Sequence, residues 1–149
     1  MAFRTYNPRR VTLSFKGFNI SAFMDSTFIE AERNEDSFTV HVGANGDVTR
    51  TASHNRTGKV TVTLVQASTD NDFLMLILAA DELAAKAGAG TSPGIGSLQI
   101  KDLSGTFRVN ASQAWLTKPP KGERAKEAGS VQWIFECAEM EPFVGGNVI

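Results

Sequence analysis

The sequence predicts a mainly β fold, an antiparallel β-sandwich or barrel with one flanking α-helix. Three observations carry that expectation. Segments that alternate apolar and polar residues, rich in Thr, Val and Phe, recur along the chain, as half-buried antiparallel strands do. One stretch near the middle switches to helical spacing. No internal repeat or composition break divides the 149 residues, a length that suits a single domain.

The elements follow in order. Residues 1–9 read as an N-terminal arm. Arg10–Phe15 alternates, with Val11, Leu13 and Phe15 on one face. Phe18–Phe23 and Thr27–Glu32 read as short extended pieces. Ser37–Val42 sets Phe38, Val40 and Val42 against Ser37, Thr39 and His41. Lys59–Val65 repeats the pattern, with Val60, Val62 and Leu64 against Thr61 and Thr63. Both apolar sets are expected to face the core. Between these two strands lies an insert, 43–58, too long for a tight turn. Its Asn45-Gly46-Asp47 is a turn signal, so it is expected to project as a hairpin, with Asp47–Ser53 as a secondary strand.

The helix is capped by Ser68 or Thr69, with Asp70 and Asp72 in the first turn, where the helix dipole favours anions. Phe73, Leu76, Ile77, Ala80, Leu83, Ala84 and Ala87 form the expected core stripe. Leu74 and Leu78 lie off it. Lys86 and Gly88 mark the end. After a small-residue loop, Ser97–Lys101 and Gly105–Ala114 return to strand character. In the latter, Phe107, Val109 and Ala111 oppose Thr106, Arg108, Asn110 and Ser112. Lys118–Gly129 is polar and broken by proline, hence an exposed loop. Ser130–Met140 is the last expected strand, with Val131, Trp133, Phe135 and Cys137 on one side. Residues 142–149 form an apolar C-terminal tail.

Composition narrows the chemistry. Fifteen Lys and Arg against sixteen Asp and Glu give a net charge of -1, and pI ≈ 6.1 does not suit tight nucleic-acid binding. The single cysteine, Cys137, excludes an intrachain disulfide and a cysteine-based zinc site. It alternates with Trp133 and Phe135 and reads as a small buried hydrophobe. Two histidines, His41 and His54, supply metal or triad chemistry thinly. Gly90-Thr91-Ser92-Pro93-Gly94 matches G-x-S-x-G. That nucleophile turn needs a strand before it, a helix after it and a later histidine; here a helix precedes it and both histidines come earlier. The glycines of this loop match no phosphate-binding spacing. Acidic residues between Asp25 and Asp36, and Glu136, Glu139 and Glu141, read as surface charge. No catalytic, cofactor or metal site is expected. No apolar run approaches the roughly 18 residues of a membrane span, and the N-terminus lacks a signal core. Triplets at Asn19, Asn55 and Asn110 fit the glycosylation pattern but need a secretory route. Synthesis in the cytoplasm is the default.

The positive features concern assembly. Strand faces opposite the core carry Thr, Ser and Asn rather than Lys and Glu. The insert, the mid-chain loop and the apolar tail (Phe143, Val144, Val148, Ile149) are extensions that suit contact with neighbouring subunits.

The opening TYNPRRVTLSFKGFNISAFMDSTFIEAERNEDSFTVHVGANGDVTRTASHNRTGKVTVTLVQAS, the following DNDFLMLIL and the closing WIFECAEMEPFVGGN resemble the tail tube proteins of contractile-tailed bacteriophages. The resemblance covers nearly the whole chain. It is most specific at the FT…GANGDVTRT…GKVTVTL hairpin and the helix after it. It implies a small β-barrel or sandwich with a flanking helix, shared with the tube of the type VI secretion system. It implies rings of six that stack into a tube, with the inner sheets joined around a lumen for the genome and a tape-measure protein. Sheath, baseplate and tail-terminator proteins are the further partners it implies. It places the chain in the virion tail, assembled in the host cytoplasm, with no catalytic residues and no membrane.

A wall past which DNA slides is better neutral or mildly acidic than cationic. Ser37, Thr39, His41, Thr61, Thr63, Arg108, Asn110 and Ser112 are the candidate lumen-facing residues. Arg108 departs from a neutral wall; either it pairs with an acidic neighbour such as Glu136, or the facing assignment fails. Asp47, Arg50 and Arg56 on the insert are the candidate ring-stacking charges. The competing reading is a monomeric small β-barrel with a ligand-binding or hydrolytic role. Size under non-denaturing conditions separates the two.

Overall fold

A computed structural model describes residues 5–23, 27–103, 107–122 and 124–144. Its strands are β1 (Val11–Phe15), β2 (Phe18–Ile20), β3 (Ile29–Arg33), β4 (Phe38–Val42), β5 (Val48–Ala52), β6 (Gly58–Val65), β7 (Gly96–Asp102), β8 (Phe107–Leu116), β9 (Ser130–Cys137) and β10 (Met140–Val144). The helix, α1, is Thr69–Lys86. Thr106, Asp25, residues 145–149 and the first four residues of the arm, for which the sequence carries expectations, lie outside the described residues.

All strands but two join one antiparallel sheet in the order β2-β1-β7-β8-β9-β6-β3, with β10 added to β8. Strand β8 makes this sheet fold on itself. Its first half, 107–111, pairs with β7 and β10, and its second half, 114–116, pairs with β9. Between them the register against β7 slips, and Ser112 and Gln113 stand exposed. The buried side switches from Val109 and Ala111 to Ala114 and Leu116. A bulge bends a strand in this way and lets it serve two layers. Phe15 of β1 and Phe135 of β9 meet edge to face with ring centroids 4.9 Å apart, so β1 and β9 look at each other across the core. The expected sandwich is therefore present.

Strands β6 and β9 match the alternation read from the sequence. Val60, Val62 and Leu64, and Trp133, Phe135 and Cys137, are all buried. The tail differs. The last expected strand ends at Cys137, and the chain turns back as β10, so the tail's first residues are an edge strand of the sheet. Pro142 lies within it, opposite Val109, and proline is tolerated at such edges.

The helix is rotated from its expected setting: Phe73, stacked on Phe18, and Ile77 of the expected stripe still pack inward, but the centre of the buried face lies elsewhere. Leu74 and Leu78 are its buried residues, whereas Leu76 and Leu83 are about two-thirds exposed, at 70% and 69%. Hydrogen bonds explain the rotation. Asn71 Oδ1 accepts from the indole N–H of buried Trp133 at 2.9 Å, and its amide donates to the carbonyls of Val65 and Gln66. Asp70 accepts from the backbone N–H groups of Ser21 and Ala22. Both residues must face the body, and Leu74 and Leu78 follow them at helical spacing. Leu74→Ala is expected to cost about 2–5 kcal/mol and Leu76→Ala to leave the melting temperature nearly unchanged. Equal losses in a thermal melt of the two variants would contradict this rotation.

The loop after α1 is no nucleophile turn. Gly94 is buried against Asp81, and a side chain there would collide with it, as one at Gly96 would with Lys16. These glycines allow close packing of the loop on α1 and on the β1–β2 turn.

Candidate assembly surfaces

Three surfaces carry the residues singled out by sequence. The first is the ribbon β4–β5, which among the described residues pairs only with itself. All ten of its strand residues are exposed, so Phe38, Val40 and Val42 are not core residues, contrary to the expectation. The alternation is real but describes a free two-faced ribbon. Phe38, Val40 and Val42 share a face with Val48, Arg50 and Ala52, their cross-strand neighbours. The Arg50 guanidinium lies 4.0 Å from the centroid of the Phe38 ring. Thr39, His41, Thr49 and Thr51 occupy the other face. At the tip, Asn45-Gly46-Asp47 forms the expected turn, with Gly46 at φ 87° and Gly43 N–H donating to the Asp47 carbonyl at 2.7 Å.

The projecting part is thus shifted toward the N-terminus relative to the expected 43–58. Residues 53–57 belong to its root, which is knit by polar contacts. Asn34 donates to Thr57 Oγ1 at 2.9 Å and to Glu136 Oε1 at 2.7 Å. Ser53 donates to Glu35, and its backbone N–H to the Ser37 carbonyl. Arg33 reaches the Met140 carbonyl at 3.2 Å and the Glu141 carboxylate at 3.4 Å. Among the stacking candidates, Asp47 sits at the tip and Arg50 on the ribbon. Arg56 sits at the root, where its carbonyl accepts from Met140 N–H.

The second surface is the outer face of β3, β6 and β9. Lys59 lies in one row between Glu32 and Glu136, Thr61 between Glu30 and Ile134, and Thr63 opposite Gln132. The face is neutral to acidic. Loop residues Lys118–Lys121 border it beside Thr63, Gln132 and Ile134.

The third is the outer face of β1, β7 and the first half of β8, with Thr12, Gln99, Lys101, Arg108 and Asn110. With the Asn110 amide oxygen turned to it, Arg108 donates from Nε at 3.0 Å and Nη2 at 2.8 Å. Arg108 therefore does not take Glu136, whose carboxylate accepts from Asn34. Because β1 and β9 oppose each other across the core, this face and the second point in opposite directions. The eight lumen candidates divide accordingly: Ser37, Thr39 and His41 with the ribbon, Thr61 and Thr63 on the second face, Arg108 and Asn110 on the third, and Ser112 at the bulge. They do not form one wall.

Sequence reasoning missed a fourth feature. A cleft of about 380 Å³ opens at the start of β3, lined chiefly by Tyr6, Val11, Phe28, Ile29, Phe107 and Asp102. Its walls come from four distant segments, so no local pattern announces it. Cys137 is fully buried; burial, with a smaller push from Glu136, raises its thiol pKa to about 11. Among the described residues no group of His, Cys, Asp and Glu is placed to hold a metal ion, and no helix is long and apolar enough to cross a membrane.

Comparison with known proteins agrees with this architecture. The chain is 28% identical over 149 residues to structural protein ORF10 of Pseudomonas phage KPP10, covering 96% of this chain and 83% of that protein. Among solved structures it is similar to the sheath/tube terminator of an extracellular contractile injection system, PVC, in its extended state. There the TM-score is 0.61 at 10% identity, over 97% of this chain and 100% of the other. The sheath-tube complex of that system gives a TM-score of 0.60 at 10% identity, over 94% and 92% of the two chains. The tube-terminating cap of the anti-feeding prophage gives 0.56 at 9% identity, over 97% and 94%. At these identities the structures speak for a shared fold. The family model described as bacteriophage PhiTE tail tube protein matches residues 11–145, and the chain belongs to that family of structural, non-enzymatic phage tail proteins.

Proposed function

We propose that the chain forms rings of six that stack into the tube of a contractile tail and conduct the genome, with the outer face of β3, β6 and β9 lining the channel. The observation that carries this reading is the chemistry of that face. On the strands themselves Thr61, Thr63 and Gln132 are uncharged and Glu30, Glu32 and Glu136 outnumber Lys59, while Lys118 and Lys121 belong to the loop at its border. Such a wall does not hold phosphates, so DNA passes without being captured. The opposite face, with Lys101 and Arg108, would do so. This choice keeps Thr61 and Thr63 as lumen residues and assigns Arg108 and Asn110 elsewhere.

The other surfaces support contacts between copies. An isolated two-stranded ribbon is marginal in water, and β4–β5 exposes an apolar face that a neighbouring ring covers. The exposed ridge of Leu76 and Leu83 on α1 is a second apolar surface, suited to a neighbouring subunit or the sheath. The similarity to tube, terminator and cap structures supports sheath and tail-terminator proteins as partners. Tape-measure and baseplate proteins complete the set, and assembly takes place in the host cytoplasm.

Thr61→Lys tests the channel assignment. Glu30 lies directly across from position 61, so a lysine there meets a carboxylate and the fold survives. Repeated around each ring and along the tube, it halves the acidic excess of the strand face and sets a row of cations along the channel. Tails should form normally, while DNA ejection slows and the delay shrinks as salt rises. Normal ejection from well-formed tails would remove this face from the channel.

A further inference from the structure

We infer that the segment after β10, residues 145–149, docks in the Tyr6–Phe107 cleft of its own subunit and closes that end of the sandwich, with Val148 and Ile149 as the side chains that fill it. The inference concerns the single subunit and does not depend on the tube reading.

The cleft calls for an apolar occupant. It opens between the two layers: Val11, Ile100 and Phe107 come from β1, β7 and β8, and Phe28 and Ile29 from the start of β3. It runs from Tyr6, which is exposed, down to Ile100, which is fully buried. A cavity of about 150 Å³ takes a benzene ring, so about 380 Å³ has room for two aliphatic side chains. Gly145-Gly146-Asn147-Val148-Ile149 supplies two and carries no charged side chain, so its entry strips water from no ionised group. Successive side chains of an extended segment point to opposite sides. Val148 and Ile149 therefore meet both walls of a cleft that lies between layers.

The route is short. At one corner of the body Arg33 reaches the Met140 carbonyl. From there β10 runs out to Val144 and β3 runs back to Ile29. Val144 pairs with Phe107, so the chain leaves β10 at the rim of the cleft. Five residues reach at most roughly 17 Å, and Gly145 and Gly146 allow the chain to turn inward. Tethering at the rim favours this cleft over that of another copy. Strand β3 ends the sheet order, and an edge strand presents N–H and C=O groups that can satisfy the amides of the entering chain.

A disulfide trap tests the docking. Ile29 faces the cleft, whereas its neighbour Glu30 is exposed on the outer side of the sheet. Ile29→Cys combined with Val148→Cys, treated with oxidised glutathione, should close within one chain and give a faster monomer band on a non-reducing gel. Glu30→Cys combined with Val148→Cys should stay open. The buried Cys137 takes no part. A covalent dimer from the first pair would seat the segment in another copy; no bond, or equal closure by both pairs, would take it out of the cleft. Each of these overturns the inference. A thermal melt is the second readout. Val148→Asp should melt at least about 3 °C below the wild type, and Val148→Leu close to it. An unchanged melt for Val148→Asp would overturn the docking even if the trap closed. Failure of the chain to form rings or tubes would sink the tube reading and leave both readouts as they are.

Discussion

Removing the whole ribbon is expected to abolish tubes while sparing the fold. The excision is best made from Phe38 to Ala52. Ser53 N–H donates to the Ser37 carbonyl at 2.8 Å, so the two ends already lie side by side and a short Gly-containing turn can join them. No buried side chain is lost, because every strand residue removed is exposed. The denaturation midpoint should move little, and sedimentation should show rings or monomers in place of long polymers. A cut through 44–55 is a poorer test. It removes Asn55, whose side chain accepts from Thr57 N–H at 3.0 Å and Thr57 Oγ1 at 2.7 Å, and so damages the root. Polymers of normal length from the 38–52 excision would show that the ribbon has no part in stacking.

The opposite outcome is expected of Phe135→Ala. Phe135 is fully buried, lies between Val60 and Leu116 in the sheet and meets Phe15 edge-on across the core. Truncating a buried phenylalanine typically costs about 3–5 kcal/mol, and edge-to-face pairs add about 0.5–1.5 kcal/mol to what area burial supplies. Against a usual total of about 5–15 kcal/mol, this leaves a marginal subunit, and assembly fails because the monomer does. Urea titration of the subunit measures the loss. A cost under about 1 kcal/mol would mean that the two layers do not depend on this contact.

These two residues also show where sequence stops being legible. The alternation around Phe135 and that around Val40 are the same pattern. Period two reports that a strand has an apolar and a polar face, not which object covers the apolar one. For β9 the cover is the same chain; for β4 nothing among the described residues supplies it. The helix carried a different ambiguity. Leu74 with Leu78, and Leu76 with Leu83, both fit helical spacing, so apolar periodicity does not choose between them. The choice was made by polar residues, Asp70 and Asn71, through partners some 50 to 60 positions away, Ser21 and Trp133. The bulge at Ser112 and Gln113 was hidden for a related reason: a phase change in one strand depends on the layers it joins. The division of the lumen candidates over separate surfaces follows from that fold-back, since facing residues share a wall only if their strands share a layer. The turn at Asn45-Gly46-Asp47, the cap at Ser68 and the buried sides of β6 and β9 were legible because local backbone chemistry or a single core decides them.

The lone thiol has a practical consequence. Cys137 lies at the register position of Gly58 and Ala114, sealed inside the sandwich and held protonated well past neutral pH. It does not compete for maleimides or other thiolate-seeking probes while the subunit stays folded. Every cysteine placed on the surface then becomes a unique address for a dye, a spin label or a crosslinker. The native chain can be used as its own unlabelled background, with no need to mutate the core first.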